Sequence, residues 1–496
     1  MDDLLTTRQR RLLLGILLFT FLVRLVTLGM YPLADTTEAR YAEIGRKMAE
    51  TGNWVTQLED YGVPFWAKPP FSTWLTAATF KLLGVTEFAA RLSSLVLMLA
   101  FCWLAWLLAV RQQGRDRALA GAAILATTTL TFITAGAVMT DASLGLTTML
   151  SMLAFWRALD ERGRVWGYLF FIGLGLGLLA KGPVAVVLTL LPIGIWTAWK
   201  GRWRDVWQRL PWIGGSLLAL VIAAPWYLLA ERRTPGFLNY FIVGEHIKRF
   251  TVSSWNGDLY GTPHNQPRGM IWLFWLAAAL PWSLALLVSW TGKAFQRRRA
   301  GVSAPTSLWT AYLVCWAVSP MLFFTLAGNI MLTYVLTGLP AFALLAAETL
   351  LPAAKPGGTP VPAPKGAGAM LPVLALLVPA LFLIAMTTVG PRLVGDRSQK
   401  ATVAEFEELR TDKASRLIYF FYKPHSAKFY TRGRVIEADL VTVAPYLADG
   451  VQDFFAVRHG NIAILPKAML DRLEPVWKDK EVVLYRERMD KPAPSK

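Results

Sequence analysis

The sequence predicts a polytopic α-helical membrane protein with a small carboxyl-terminal α/β domain. Three observations predict this. Of 496 residues, 54% are hydrophobic and 17% charged, with a mean hydropathy of +0.41, which excludes an ordinary soluble globular chain. Apolar runs near the length that crosses a hydrocarbon core of ~30 Å recur through residues 1–390. From 391 to 496 the composition turns charged, with alternating runs such as Arg416-Leu417-Ile418-Tyr419-Phe420-Phe421 and Glu481-Val482-Val483-Leu484-Tyr485 around helical stretches.

The runs lie at about 11–30, 88–110, 118–136, 141–157, 165–180, 182–199, 210–230, 269–290, 306–327, 331–350 and 369–389, so about eleven spans are expected. The first run is long, holds Arg24 and lacks a small-residue cleavage site, so it is expected to stay as a helix. Cys102 and Cys315 lie inside runs with no local partner and serve as small core residues, neither disulfide nor metal ligands. No internal repeat is present.

Orientation follows from the bias of Lys and Arg in short loops. Arg8-Gln9-Arg10-Arg11, Arg111 to Arg117, Arg162-Gly163-Arg164, Lys200 to Arg209 and Lys293 to Arg299 mark every second loop as cytoplasmic. That alternation makes 70–86 a short amphipathic helix lying at the outer interface, since a span there would invert everything after it. Residues 31–87 then form a first outer loop with juxtamembrane helices, 231–268 a basic, aromatic outer loop, and 352–369, rich in Pro, Gly and Ala, a disordered cytoplasmic linker.

The acidic pair Asp35 and Glu38 falls directly after the first span. Ionisable groups held against a hydrocarbon boundary are functional-site candidates by default. Lys68-Pro69-Pro70, Met139-Thr140-Asp141 and the 231–268 loop share its face on this topology. So do the last ~100 residues.

These motifs together resemble the integral-membrane GT-C glycosyltransferases, in particular the lipid A aminoarabinose transferases related to protein O-mannosyltransferases. The resemblance runs through most of the membrane region. It rests on Asp35-Thr36-Thr37-Glu38-Ala39-Arg40-Tyr41, Asn53-Trp54-Val55-Thr56, Tyr61 to Trp66, Lys68-Pro69-Pro70, Met139-Thr140-Asp141, Gly244-Glu245-His246 with Arg249-Phe250, and Pro267-Arg268-Gly269.

What the resemblance implies is a GT-C fold in a bacterial inner membrane. A sugar would move from a polyprenyl phosphate to lipid A or another anionic lipid, at a site facing the periplasm. Asp35 would hold the catalytic first-loop acidic position, with Asp141 and Glu38 beside it. Lys68, Arg268 and Tyr334 would bind the donor phosphate, and Arg249, His246 and His264 would contact the acceptor from the loop. Taken alone, Asp35 and Asp141 would more often cap helices, Glu38 would meet a helix dipole, and Lys68 would snorkel.

Some relatives carry a Glu immediately before the Lys-Pro turn that serves as a metal ligand. Here that position is Ala67, so no obligatory metal is expected, although His246, His264, Glu245 and Asp258 leave a divalent site open. No glycine-rich phosphate loop is found, so no nucleotide sugar is expected. The net charge of +18, with Arg232, Arg233, Lys248, Arg249 and Arg268 in one outer loop, points to anionic lipid partners and, on an outer face, away from nucleic acid. A monomer is expected. The competing readings are a GT-C transferase for a hexose or uronic acid with another acceptor, and a lipid-linked sugar flippase. The flippase would need charges through the bilayer midplane, where this pattern places none.

Overall fold

The computed structural model describes residues 4–161, 163–252, 255–261, 264–289, 306–351 and 367–489. The basic run Lys293 to Arg299 and residues 352–366 of the expected linker lie outside them. From Ala367 the chain is already helical.

Helix α1 (Thr7–Thr27) opens with a capping box, in which Thr6 accepts from Gln9 N and Gln9 reaches back to the Thr6 backbone. The first outer loop folds into α2 (Thr37–Thr51), a hairpin of β1 (Leu58–Asp60) and β2 (Val63–Pro64), and α3 (Phe71–Leu83). At 1.5 Å per residue, the 13 residues of α3 reach only about 20 Å, too short to span. Arg91, on α4 (Glu87–Gln113), secures the entry to this loop. Its guanidinium donates to the carbonyls of Leu28, Tyr31 and Pro32 and makes paired 2.8 Å bonds to both Glu38 oxygens.

The bundle continues with α5 (Arg115–Thr127), α6 (Thr129–Thr134), α7 (Asp141–Asp160), α8 (Arg164–Lys181), α9 (Pro183–Lys200), the short α10 (Trp203–Arg209) and α11 (Trp212–Arg233). Helix α7 is the axis, with 83% of its apolar window buried, against 22% for the peripheral helix Met370–Thr388. Small residues let α8 approach it closely: a Cβ at Gly173 would sit 2.2 Å from Ser151 Oγ.

Two expected continuous spans are broken. The run 118–136 divides into α5 and α6 because Thr128 is extended (φ −64, ψ 132). The run 269–290 divides into α13 (Met270–Ala278) and α14 (Trp282–Ser289), bent by 103°, with Pro281 at the corner. The two breaks satisfy each other, for Thr129 gives both its N–H and its hydroxyl to the Leu280 carbonyl at 3.0 Å. By length and composition seven helices among the described residues qualify as membrane spans, or eight if α13 and α14 are one.

The 231–268 segment, expected as a loop, contains a π-helical stretch, Asn239–Lys248, that runs on into α12 (Arg249–Thr251). Its aromatic side chains explain this. Phe237 and Phe241 stack on each other and pack on Trp226 and Tyr227 of α11, which gives the segment an apolar face of its own.

After α15 (Leu308–Phe324), a 3-10 segment (Leu332–Gly338) leads into α16 (Leu339–Leu350), and α17 (Ala367–Thr388) packs beside α1. The chain then enters the carboxyl-terminal domain through α18 (Gly390–Gly395) and α19 (Lys400–Leu409). Five strands follow, β3 (Leu417–Phe420), β4 (Ile436–Ala438), β5 (Phe454–Arg458), β6 (Leu473–Lys478) and β7 (Val482–Glu487), with α20 (His425–Tyr430) and α21 (Lys467–Leu470) between them. Sheet order is β4-β3-β5-β7-β6, with β3 parallel to both neighbours and β7 antiparallel to both of its own. All four residues of β3 are buried, because both faces of the sheet are covered.

Candidate functional site

A cavity of about 300 Å³ opens where the first outer loop, the α6–α7 corner, the α8–α9 turn and the Asn239–Tyr260 segment meet. Its apolar lining includes Val184, Val187, Leu188, Phe250, Phe323 and Phe324. Its charged lining sets four cations, Arg40, Lys68, Lys181 and Arg249, against three carboxylates, Asp141, Glu245 and Asp258.

Pairing within the charged lining is specific. Lys181 Nζ donates to Asp141 Oδ1 at 2.7 Å and stands 5.0 Å over the Tyr334 ring. Glu245 receives Lys68 Nζ at 2.8 Å and Arg249 at 3.0 Å, and Asp258 lies 3.4 Å from Arg249. Burial disfavours charge on both Lys68 and Glu245. Their mutual attraction outweighs it, so the ammonium is raised and the carboxyl lowered, and both stay ionised. Arg249 Nε and Asn329 Oδ1 are buried without a hydrogen-bond partner among the described residues. These are the polar atoms in this cavity that a ligand would satisfy.

Six of the nine residues proposed from the sequence line this cavity, namely Asp141, Lys68, Tyr334, Arg249, His246 and His264. His246 faces two backbone carbonyls, Phe241 O at 2.8 Å and Lys181 O at 3.2 Å, and burial holds its pKa down. It thereby ties the π-helical segment to the α8–α9 turn.

The other three stand elsewhere. Asp35 does not line the cavity. Its carboxylate accepts from Ser426 N at 2.9 Å and from the Ser426 hydroxyl, so it caps the first turn of α20 in the carboxyl-terminal domain. Burial pushes the Asp35 pKa up, and the Ser426 bonds partly offset this. Nor does it cap α2, whose N-cap is Thr36. Glu38 is spent on Arg91, as described above. Arg268 is exposed beyond the cavity, ahead of α13.

Sequence reasoning missed Arg40 and Lys181 as cavity cations. Arg40 stood within the first-loop motif, three residues before Glu43, which with Arg46 and Lys47 is buried, and that was its only signal. Lys181 was legible as a charge closing an otherwise apolar helix.

A divalent ion finds no fitting donor set here. Among the described residues no three His, Cys, Asp or Glu side chains converge on one point, and Glu245 is already shared by two cations.

The fold matches solved structures over nearly its whole length. A crystal structure of ArnT from Cupriavidus metallidurans bound to undecaprenyl phosphate superposes with a TM-score of 0.79 at 20% identity, covering 95% of this chain and 97% of that one. The apo form of the same protein gives 0.76. Fold and site thus define a polytopic membrane protein of GT-C architecture, with its charged cavity on the side of the sheet domain.

Residues 9–241 match the family described as Dolichyl-phosphate-mannose-protein mannosyltransferase. Undecaprenyl phosphate-alpha-4-amino-4-deoxy-L-arabinose arabinosyl transferases are similar across the membrane region. That of Erwinia tasmaniensis is 32% identical over 334 residues, 66% of this chain, and that of Pseudomonas aeruginosa is 32% identical over 356 residues, 69% of this chain. The chain spans 57% and 60% of the length of these two relatives. In fold it shares the GT-C architecture of ArnT, and in sequence it is similar to these two relatives and, over residues 9–241, to that family.

Proposed function

We propose that the chain is an inner-membrane glycosyltransferase that moves a sugar, an aminosugar such as 4-amino-4-deoxy-L-arabinose, from a polyprenyl phosphate to lipid A at the periplasmic face. The observation that carries this reading is one cavity lined both by apolar side chains and by four cations set against three carboxylates, groups that suit a lipid-linked sugar phosphate. The names of the curated relatives and the lipid in the ArnT structure support it.

In the reaction an acceptor oxygen bonds to the anomeric carbon while the bond from that carbon to the phosphate oxygen breaks. The phosphodiester, with one negative charge, leaves as a monoester with nearly two. Lys68 and Arg249, with Arg249 Nε unpartnered, face that gain of charge, and preorganised cations in a water-poor site stabilise it strongly. Val184, Val187 and Phe323 receive the first prenyl units.

Asp141 is paired with Lys181 alone, Glu245 is shared by two cations and Asp258 stands 3.4 Å from Arg249; of the three, Asp141, in the first turn of α7, is the carboxylate we assign to act on the reactants. Toward a hydroxyl acceptor it takes the proton. Toward a lipid A phosphate, already anionic, it orients the sugar and stabilises its developing positive charge.

The test is lipid A mass spectrometry in a Gram-negative host that makes the candidate polyprenyl-phosphate sugars but lacks its own lipid A glycosyltransferase. A sugar-sized mass increase with wild type, absent with Asp141→Asn at equal membrane levels, is the expected result. No increase with wild type while the donor lipid is present would move the acceptor elsewhere.

A further inference from the structure

Three of the four cavity cations are committed to carboxylates. Lys68 and Arg249 share Glu245, and Lys181 holds Asp141. The fourth, Arg40, makes no ion pair with a carboxylate among the described residues, although its charge acts on the nearby Glu59 carboxyl. Its Nε instead donates, at 3.2 Å, to Nε2 of His425, the first residue of α20 in the carboxyl-terminal domain.

That contact defines the ring. For Nε2 to accept from Arg40 the imidazole is neutral with its proton on Nδ1, which is buried without a hydrogen-bond partner among the described residues, while Glu59 Oε1 stands 3.5 Å from the same Nε2. His425 is packed among Arg40, Lys428, Lys47, Glu59 and Asp60, with its side chain 13% exposed. Burial and the three cations push its pKa down to about 2. The ring is therefore a permanent acceptor over the whole physiological range. An arginine held at Nε by a neutral acceptor keeps its full charge, and its two terminal amino groups, with no other partner among the described residues, remain for a ligand. Paired terminal N–H groups fit two oxygens of a phosphate.

We propose that Arg40 binds a phosphate group of one of the two lipids, and that His425 is the positioning residue by which the carboxyl-terminal domain aims it into the cavity. This rests on the glycosyl-transfer reading only for which lipid is bound. Docking of the domain assembles the anion site from two parts of the chain. The domain thus has a role in binding, beyond covering the membrane core.

The experiment uses the full chain in lipid nanodiscs, measuring binding of undecaprenyl phosphate and of lipid A separately, without turnover. Arg40→Lys is expected to weaken one of the two by roughly tenfold, the size of a lost charge-assisted hydrogen bond pair. His425→Phe should weaken the same lipid, and the double variant should add little to Arg40→Lys. His425→Gln, which returns an acceptor near the Nε2 position, should restore most of the affinity. Loss for undecaprenyl phosphate assigns Arg40 to the donor side, and loss for lipid A to the acceptor side. In turnover the effect should fall on KM for that lipid more than on kcat.

Wild-type affinity for both lipids in Arg40→Lys would overturn the proposal. So would His425→Gln as weak as His425→Phe at equal thermal stability. Should His425→Phe fail to fold, Arg40→Lys and His425→Gln still decide. A wild-type protein that binds neither lipid would overturn both this inference and the transfer reading. Binding without any sugar transfer would overturn the transfer reading alone.

Discussion

Lys181 and Asp141 close on each other at 2.7 Å from the carboxyl end of one helix and the amino end of the helix packed against it. Each is placed where its own helix dipole favours its charge, Asp141 in a first turn and Lys181 in a last turn. The pair lines the cavity with the Tyr334 ring beneath the ammonium. Asp141→Asn keeps the shape and removes the charge. It is expected to lower kcat by ~10²-fold or more while the melting temperature of the purified protein stays within a few degrees.

Asp35 is expected to act on stability more than on catalysis. Asp35→Asn, which still accepts from Ser426 N, should retain turnover within a few-fold. Asp35→Ala and Ser426→Ala should each lower the melting temperature, and the double variant should lower it by less than the sum of the two, because the hydroxyl bond is lost in both. Loss of kcat in Asp35→Asn without loss of stability would return Asp35 to the reaction.

Lys68→Met is expected to raise KM for the polyprenyl-phosphate donor by at least ~10-fold, since a charge-assisted bond to phosphate is lost inside a buried site. Arg268→Ala should leave the same constant within about twofold, as expected of an exposed side chain outside the cavity. Steady-state assays with varied donor separate the two.

His425 gives a pH dependence of known sign. Below ~6.5 the unfolded chain protonates this histidine, whereas the folded chain, with a pKa near 2, does not. Its contribution to stability is therefore complete above ~6.5 and falls on acidification by up to ~1.4 kcal/mol per pH unit. Chemical denaturation from pH 7.5 to pH 5 should show wild type losing more stability than His425→Gln. Glu59, whose pKa burial raises, works in the opposite direction in both proteins and drops out of the difference.

Asp141 and Lys68, which line the cavity, were legible because each stands at the boundary of an apolar run next to a structured turn, a position set by local sequence. Arg268 looked equally convincing by that criterion and is exposed. Adjacency to a span says which membrane face a charge occupies, but not which way it points. Glu38 and Arg91 are 53 positions apart, and their paired bonds form only once α2 and α4 are packed.

By itself the sequence determined the membrane class and the small carboxyl-terminal sheet domain, and it carried the family resemblance. These depend on apolar length, on charge alternation along the chain and on local motif, all of which are one-dimensional. Only the tertiary structure decided that α5–α6 and α13–α14 are broken, since their freed backbone groups are satisfied by each other across 151 positions. It also decided which carboxylate faces the cavity and that Arg40 is held by His425, 385 positions away. Such partners are chosen by packing, because a charge taken out of water settles beside whatever opposite charge or acceptor the fold brings within 3–4 Å.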